Sequence, residues 1–269
     1  MWAGLTKGVL AMQFQVLGSL EMNDGGKSYI PTAPKQRQLL ALLLLNSNRV
    51  VPIQTCVNEL WGEDPPDAAR ATLQSHILQL RHALKSVPGV GSLPAARNIL
   101  ETRDGGYLFV TRPGDLDTEK FTGLLRTGKE LLKTDDRKAS DLLAEALNLW
   151  RGPALADVRH GPVLRRHVVH LEEERVTAQE HRIDADLRLG RHRELIGELS
   201  ALAVEHPTRE HLHAKLTLAL YRSGRRVQAL DVLQQLHRAL RRDLGLETSP
   251  WVHNLHQAVL ASSASIDMP

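Results

Sequence analysis

Residues 67–85 read DAARATLQSHILQLRHALK. Leu73, Ile77, Leu80 and Leu84 fall at helical spacing and form one narrow apolar stripe. Asp67 is a residue type that caps a helix start. At 100° per residue the opposite face carries Ala71, Ser75, Leu78, Gln79 and His82, flanked by Gln74, Arg81 and Lys85. Such a face is small at its beginning and polar or basic towards its end. It suits a DNA major groove, where small side chains allow close approach, Gln reads adenine edges and Arg or Lys holds phosphates. An ordinary amphipathic surface helix shows the same periodicity, so the flanking segments decide between the two.

Upstream, 13–20 (QFQVLGSL) and 27–31 have strand composition around the turn signal Asn23-Asp24-Gly25-Gly26. Residues 34–46, opened by Pro34, predict a helix with a wide leucine face. A second, short helix is expected over 53–60. Gly62 and Pro65-Pro66 then force a loop, whose neighbourhood holds Glu59, Glu63, Asp64 and Asp67. An acidic group of this kind is expected to face solvent or a protein rather than DNA. Downstream, 98–103 and 107–112 are strand-like around Asp104-Gly105-Gly106, a hairpin signal. Helix, helix, long amphipathic helix and hairpin, in that order, make a winged helix-turn-helix. Over 69–112, six basic residues (Arg70, Arg81, Lys85, Arg97, Arg103, Arg112) stand against Glu101 and Asp104. That local excess is the footprint of a phosphate-facing surface, whereas the whole-chain charge of +3 says little.

From Asp117 onward the periodicity is that of long helices, interrupted by RGPALADVRHGP over 151–162. LRLGRHRELIGEL (187–199) aligns with YRSGRRVQALDVL (221–233), pairing Leu187 with Tyr221, Gly190 with Gly224, Arg191 with Arg225 and Leu199 with Leu233. The offset equals the ~34-residue tetratricopeptide period. Stacked helix pairs of that type form an interaction scaffold. The predicted fold is therefore mainly α with a small β part. A winged helix-turn-helix domain (12–113) is followed by an all-α tetratricopeptide-like repeat domain (114–262), with residues 1–11 an extension, expected to be disordered, and 263–269 a tail.

Several function classes find no support. The single cysteine, Cys56, fits a reducing compartment and a buried structural role. His167 and His170 have His-x-x-His spacing but lack further ligand signals, so no metal and no cofactor are expected. There is no Walker loop and no nucleophile elbow, so no enzymatic activity is expected. The longest apolar run, LLALLLL (39–45), is far short of the ~20 residues a membrane helix needs. A cytoplasmic, nucleoid-associated protein is expected.

The run ELWGEDPPDAARATLQSHILQLRHAL (59–84), together with RDGGYLFV (103–110), resembles the SARP family, the antibiotic-pathway activators of actinomycetes. The family's DNA-binding half is similar to the OmpR/PhoB-type effector domain. Residues 206–250, HPTREHLHAKLTLALYRSGRRVQALDVLQQLHRALRRDLGLETSP, resemble the bacterial transcriptional activator domain that accompanies it. The resemblance covers about residues 12–260. It implies an activator of a secondary-metabolite gene cluster that binds direct repeats in double-stranded promoter DNA as two protomers. It also implies recruitment of RNA polymerase holoenzyme, including its sigma factor. The chain departs from the family at Leu78 and Gln79, where serine and arginine are usual, and at Leu108, where the wing usually has arginine.

The expected DNA-binding residues are Thr72, Gln74, Ser75, His76, Leu78, Gln79, Arg81, His82, Lys85, Arg103, Gly105 and Tyr107. Glu63, Asp64 and Asp67 are the expected polymerase contacts. A helical-repeat adaptor whose winged helix binds protein, or a repressor with the same DNA-binding domain, fits the bare residue pattern as well.

Overall fold

The computed structural model describes residues 12–262, so the expectations for 1–11 and 263–269 lie outside the described residues. These residues form two compact units. One comprises the chain up to Leu125 together with Glu145–Val176; the other comprises Arg126–Ala144 and the chain from Thr177.

The first unit begins with β1 (Gln13–Gln15), β2 (Glu21–Asp24) and β3 (Lys27–Ser28), an antiparallel sheet in that order. α1 (Pro34–Leu45) follows, with every residue from Gln38 to Leu44 buried. A helix apolar on all sides belongs in a core, and α1 is the centre of this one rather than a one-faced helix on its edge. β4 (Val50–Pro52), α2 (Ile53–Trp61) and α3 (Ala69–Ser86) come next. Ala68, not Asp67, occupies the α3 N-cap, and no side chain caps it; Ala69 N–H instead donates to Pro66 O at 2.8 Å. The turn set by Pro65-Pro66 thus starts the helix in place of an aspartate cap.

α4 (Leu93–Ile99) precedes β5 (Leu100–Arg103) and β6 (Gly106–Phe109). α4 is not among the elements predicted from periodicity, and Asn98 and Ile99, expected in a strand, close this helix instead. The local signal is present: Pro94 lies in the first turn, and Ser92 Oγ accepts from Ala95 N–H at 3.3 Å. β5 and β6 form the expected hairpin, with Arg103 opposite Gly106 and Gly105 in the left-handed region at φ 73°. β4, also unforeseen, completes a sheet of order β4-β6-β5. A Cβ at Gly106 would lie 2.4 Å from Val51 O, so only glycine lets β4 approach there.

Segment 151–164 completes this unit's core. Arg151 N–H donates to Leu17 O and Leu155 N–H to Val16 O, at 2.8 and 3.0 Å. Leu155, Val158 and Leu164 belong to the same apolar cluster as the α1 leucines. Asp157 accepts from Leu20 N–H at 2.8 Å and forms an ion pair with Arg37. Three helices, α5 (Asp117–Leu131), α6 (Asp136–Leu147) and α7 (Pro162–Arg188), supply residues to both units. Glu59 shapes the start of α7. Its carboxylate is buried and accepts from the N–H groups of Gly161 (2.7 Å), Val163 (2.8 Å) and Leu164 (3.1 Å), and from Gln38 Nε2 (3.0 Å). Glu59 therefore leaves the exposed acidic group to which the sequence assigned it and serves as a helix cap.

In the second unit α8 (His192–Glu205), α9 (Glu210–Arg222), α10 (Arg226–Leu244) and α11 (Pro250–Leu260) follow the end of α7. The 34-residue offset reappears as backbone geometry. Gly190 and Gly224 have φ of 80° and 78°, and their N–H groups donate to Leu187 O and Tyr221 O. Likewise Arg191 N–H donates to Asp186 O, and Arg225 N–H to Leu220 O. Two turns of the same geometry make the α7–α8 and α9–α10 hairpins. Among the described residues, no helix is long and apolar enough to cross a membrane.

Candidate nucleic-acid interface

α3 divides cleanly by burial. Ala69, Leu73, Ile77, Leu80 and Leu84 are buried. Ala71, Gln74, Ser75, Leu78, Gln79, His82 and Lys85 are exposed. The predicted stripe and its opposite face thus lie on the two sides of one helix, as periodicity requires. Leu78 is 43% exposed, an apolar side chain on an otherwise polar surface. Ser75 Oγ donates to Ala71 O at 3.1 Å, so its hydroxyl proton is engaged and its lone pairs face outward. Thr72 is half-buried at the edge of the face.

Three predicted site residues lie elsewhere. His76 turns to the opposite flank, where its ring stacks on Trp61 with centroids 6.5 Å apart. Its Nε2 is enclosed and without a partner among the described residues. Burial, and then the Lys35 ammonium, hold the His76 pKa below its ordinary value. Lys35 itself lies over the Trp61 ring at 4.5 Å and donates to Leu60 O at 2.9 Å. Tyr107 is 4% exposed and part of the apolar core, because alternation along β6 turns it inward. Neither ring is on the exposed face.

Arg81 is the third. Its Nε and Nη2 both donate to Leu100 O, at 2.9 and 2.8 Å, and Nη2 also reaches Thr102 Oγ1 at 2.8 Å. The guanidinium is half-buried and ties α3 to β5. Burial, followed by the charge of Arg97, lowers its pKa. Arg81 thus sets the angle between the helix and the hairpin, a role that sequence reading did not assign. Leu100 and Thr102, the acceptors, carry no local motif; only the juxtaposition of α3 and β5 reveals them.

Arg103 is exposed near the hairpin tip and forms an ion pair with Glu101. Gly105 is exposed in the turn. Glu63, Asp64 and Asp67 are all exposed in the loop between α2 and α3. Cys56 is buried, and desolvation pushes its pKa up to about 12, which suits packing and opposes thiolate chemistry. No group of three His, Cys, Asp or Glu that could hold a metal occurs among the described residues. His170 instead lies 3.8 Å from Glu174, and His167 is 3.4 Å from Asn46 Nδ2.

Two family models match the chain. One, described as the C-terminal domain of transcriptional regulatory proteins, spans residues 26–109. The other, the bacterial transcriptional activator domain, spans 116–260. The chain is 40% identical over 257 residues to the regulatory protein DnrI of Streptomyces peucetius, covering 95% of this chain and 94% of that one. It is 35% identical to the regulatory protein AfsR of Streptomyces griseus, covering 96% of this chain and 26% of that longer protein. The solved structure of Mycobacterium tuberculosis EmbR, in complex with a low-affinity phosphopeptide, matches at a TM-score of 0.87 and 32% identity. That match covers 96% of this chain and 66% of that one.

Proposed function

The chain belongs to the SARP family of transcriptional regulators, and from that premise we propose that it binds promoter DNA sequence-specifically and activates an antibiotic biosynthetic gene cluster by recruiting RNA polymerase. The observation that carries this reading is α3, a helix of 18 residues with one apolar face in the core and the other bare. The side chains of the bare face are small or hydrogen-bonding except for Leu78, the chemistry that suits close approach to base edges in a major groove.

Ser75, Gln79 and His82 are placed to meet base edges. Gln74 and Lys85 flank them and hold backbone phosphates, as Arg103 does from the hairpin. Leu78 supplies an apolar contact of the kind a thymine methyl accepts. The hairpin of β5 and β6 lies over the adjacent groove, held at a fixed angle to α3 by Arg81. Two protomers occupy direct repeats about one helical turn, or a multiple of it, apart. The exposed carboxylates Glu63, Asp64 and Asp67 touch a basic surface of the polymerase sigma factor, and the protein works in the cytoplasm on nucleoid DNA.

Footprinting on the DNA upstream of neighbouring biosynthetic genes, with and without polymerase holoenzyme, tests the proposal. The expected result is protection of a repeated site, extended when polymerase is added. No sequence-dependent, salt-sensitive protection overturns it.

A further inference from the structure

The floor between the end of α3, α4 and the first strand of the hairpin is an open depression of about 410 Å³, lined by Arg81, Arg97, Glu101, Thr102 and Arg103. Three guanidinium groups meet there against one carboxylate. That carboxylate is engaged, because Glu101 forms its ion pair with Arg103. Arg97 is exposed on α4 and has no ion-pair partner among the described residues. Arg81 spends Nε and Nη2 on Leu100 O and Thr102 Oγ1. Its Nη1 has no acceptor among the described residues, and the side chain lines the depression. Arg81 and Arg97 line the same depression, and the charge of Arg97 contributes to lowering the Arg81 pKa.

Like charges held together at a partly desolvated site favour an anion over water. Arg81 cannot move away to relieve the repulsion, because three hydrogen bonds fix it. A phosphate offers the matching chemistry, with several oxygens for forked donors from more than one side. We propose that Arg97, with Nη1 of Arg81 and the guanidinium of Arg103, forms a cradle for one DNA backbone phosphate beside the groove that α3 occupies. This rests on the DNA-binding reading above and adds to it a site on α4, an element with no role in that reading. Arg81 then has two functions in one side chain: two nitrogens brace the hairpin and the third faces the phosphate. Glu101 limits the strength of the cradle by competing for Arg103.

The test uses the full chain and its footprinted site, with affinity measured by fluorescence anisotropy over a range of salt. Losing one phosphate contact lowers the slope of log K against log salt by about 0.9 and the affinity at 0.15 M salt by about fivefold. Arg97→Ala is expected to do both, equally for cognate and unrelated sequences. Arg97→Lys keeps the charge and is expected to restore most of the slope, which a folding defect would not allow. Glu101→Gln frees Arg103 and is expected to raise affinity. Replacing the cradled phosphate by a neutral methylphosphonate abolishes the difference between the unaltered chain and Arg97→Ala. An unchanged slope in Arg97→Ala overturns this inference alone. Absence of any salt-dependent binding by the unaltered chain overturns the DNA-binding reading and this inference with it.

Discussion

Replacing Glu59 is expected to weaken the first unit severely, and the geometry says by how much and why size alone does not rescue it. Glu59 is 2% exposed. Oε1 accepts from Gly161 N–H and Gln38 Nε2; Oε2 accepts from Val163 and Leu164 N–H. Glu59→Ala leaves the N–H groups of Gly161, Val163 and Leu164 facing a space with no acceptor, while Gln38 Nε2 keeps its bond to the backbone carbonyl of residue 59. Each buried unsatisfied donor costs about 1–3 kcal/mol, and water entering the gap offsets part of that, so a net loss of about 3–6 kcal/mol follows. Glu59→Gln has nearly the same shape, yet each carboxylate oxygen already faces two donors. Turned one way, the amide NH2 meets the N–H groups of Val163 and Leu164; turned the other, it meets Gly161 N–H and the Gln38 amide, which can present its own oxygen only by giving up its bond to the Glu59 carbonyl. The expected loss is smaller than that of Glu59→Ala but above about 1 kcal/mol, since at least one backbone N–H still faces a donor.

Urea unfolding followed by far-ultraviolet circular dichroism measures both. With slopes of about 2–3 kcal/mol per molar, the midpoint of the first unit should fall by roughly 1–3 M in Glu59→Ala. A Glu59→Gln midpoint within about 0.4 M of the unaltered chain, equivalent to about 1 kcal/mol, would refute the argument that charge and acceptor count hold the start of α7.

The other expectations are these. Leu78→Ser should change base preference at one position, read by selection from a randomised site, while the salt slope stays constant because no charge is altered. Reversing Glu63 and Asp64 to lysine should leave DNA affinity intact or raised and lower transcription in a purified system; loss of DNA binding would remove these residues from the polymerase contact. Acid should weaken the second unit. Burial depresses the pKa of His213 and of His181 below their ordinary 6.5, so the unfolded chain takes up protons that the folded one does not. Stability is therefore full above about pH 6.5 and falls as the pH drops through that value towards the folded pKa. His213→Gln should flatten the dependence over that window, measured as thermal midpoint against pH.

Much of the architecture is legible in residue order. The spacing of Leu73, Ile77, Leu80 and Leu84 encodes which side of α3 is buried, since a helix's faces are fixed by its own period. The glycines 34 residues apart encode the two equivalent turns, because a left-handed backbone conformation favours glycine whatever the surroundings. The Asp104-Gly105 turn encodes the hairpin for the same reason. These are local properties, and they reach the fold class and the exposed face.

What the tertiary structure decided is where side chains from distant segments end. His76 and Tyr107 have residue types suited to DNA, yet one stacks on Trp61 and the other enters the core. Arg81 has the composition of a phosphate ligand and is first a brace, because β5 brings a bare carbonyl within reach. Glu59 looks like one more acid beside Glu63 and Asp64, and it caps a helix about a hundred residues further on. None of these partners is near in sequence. A polar side chain's role is set by which unsatisfied donor or acceptor it meets in three dimensions, and no period or local spacing carries that information.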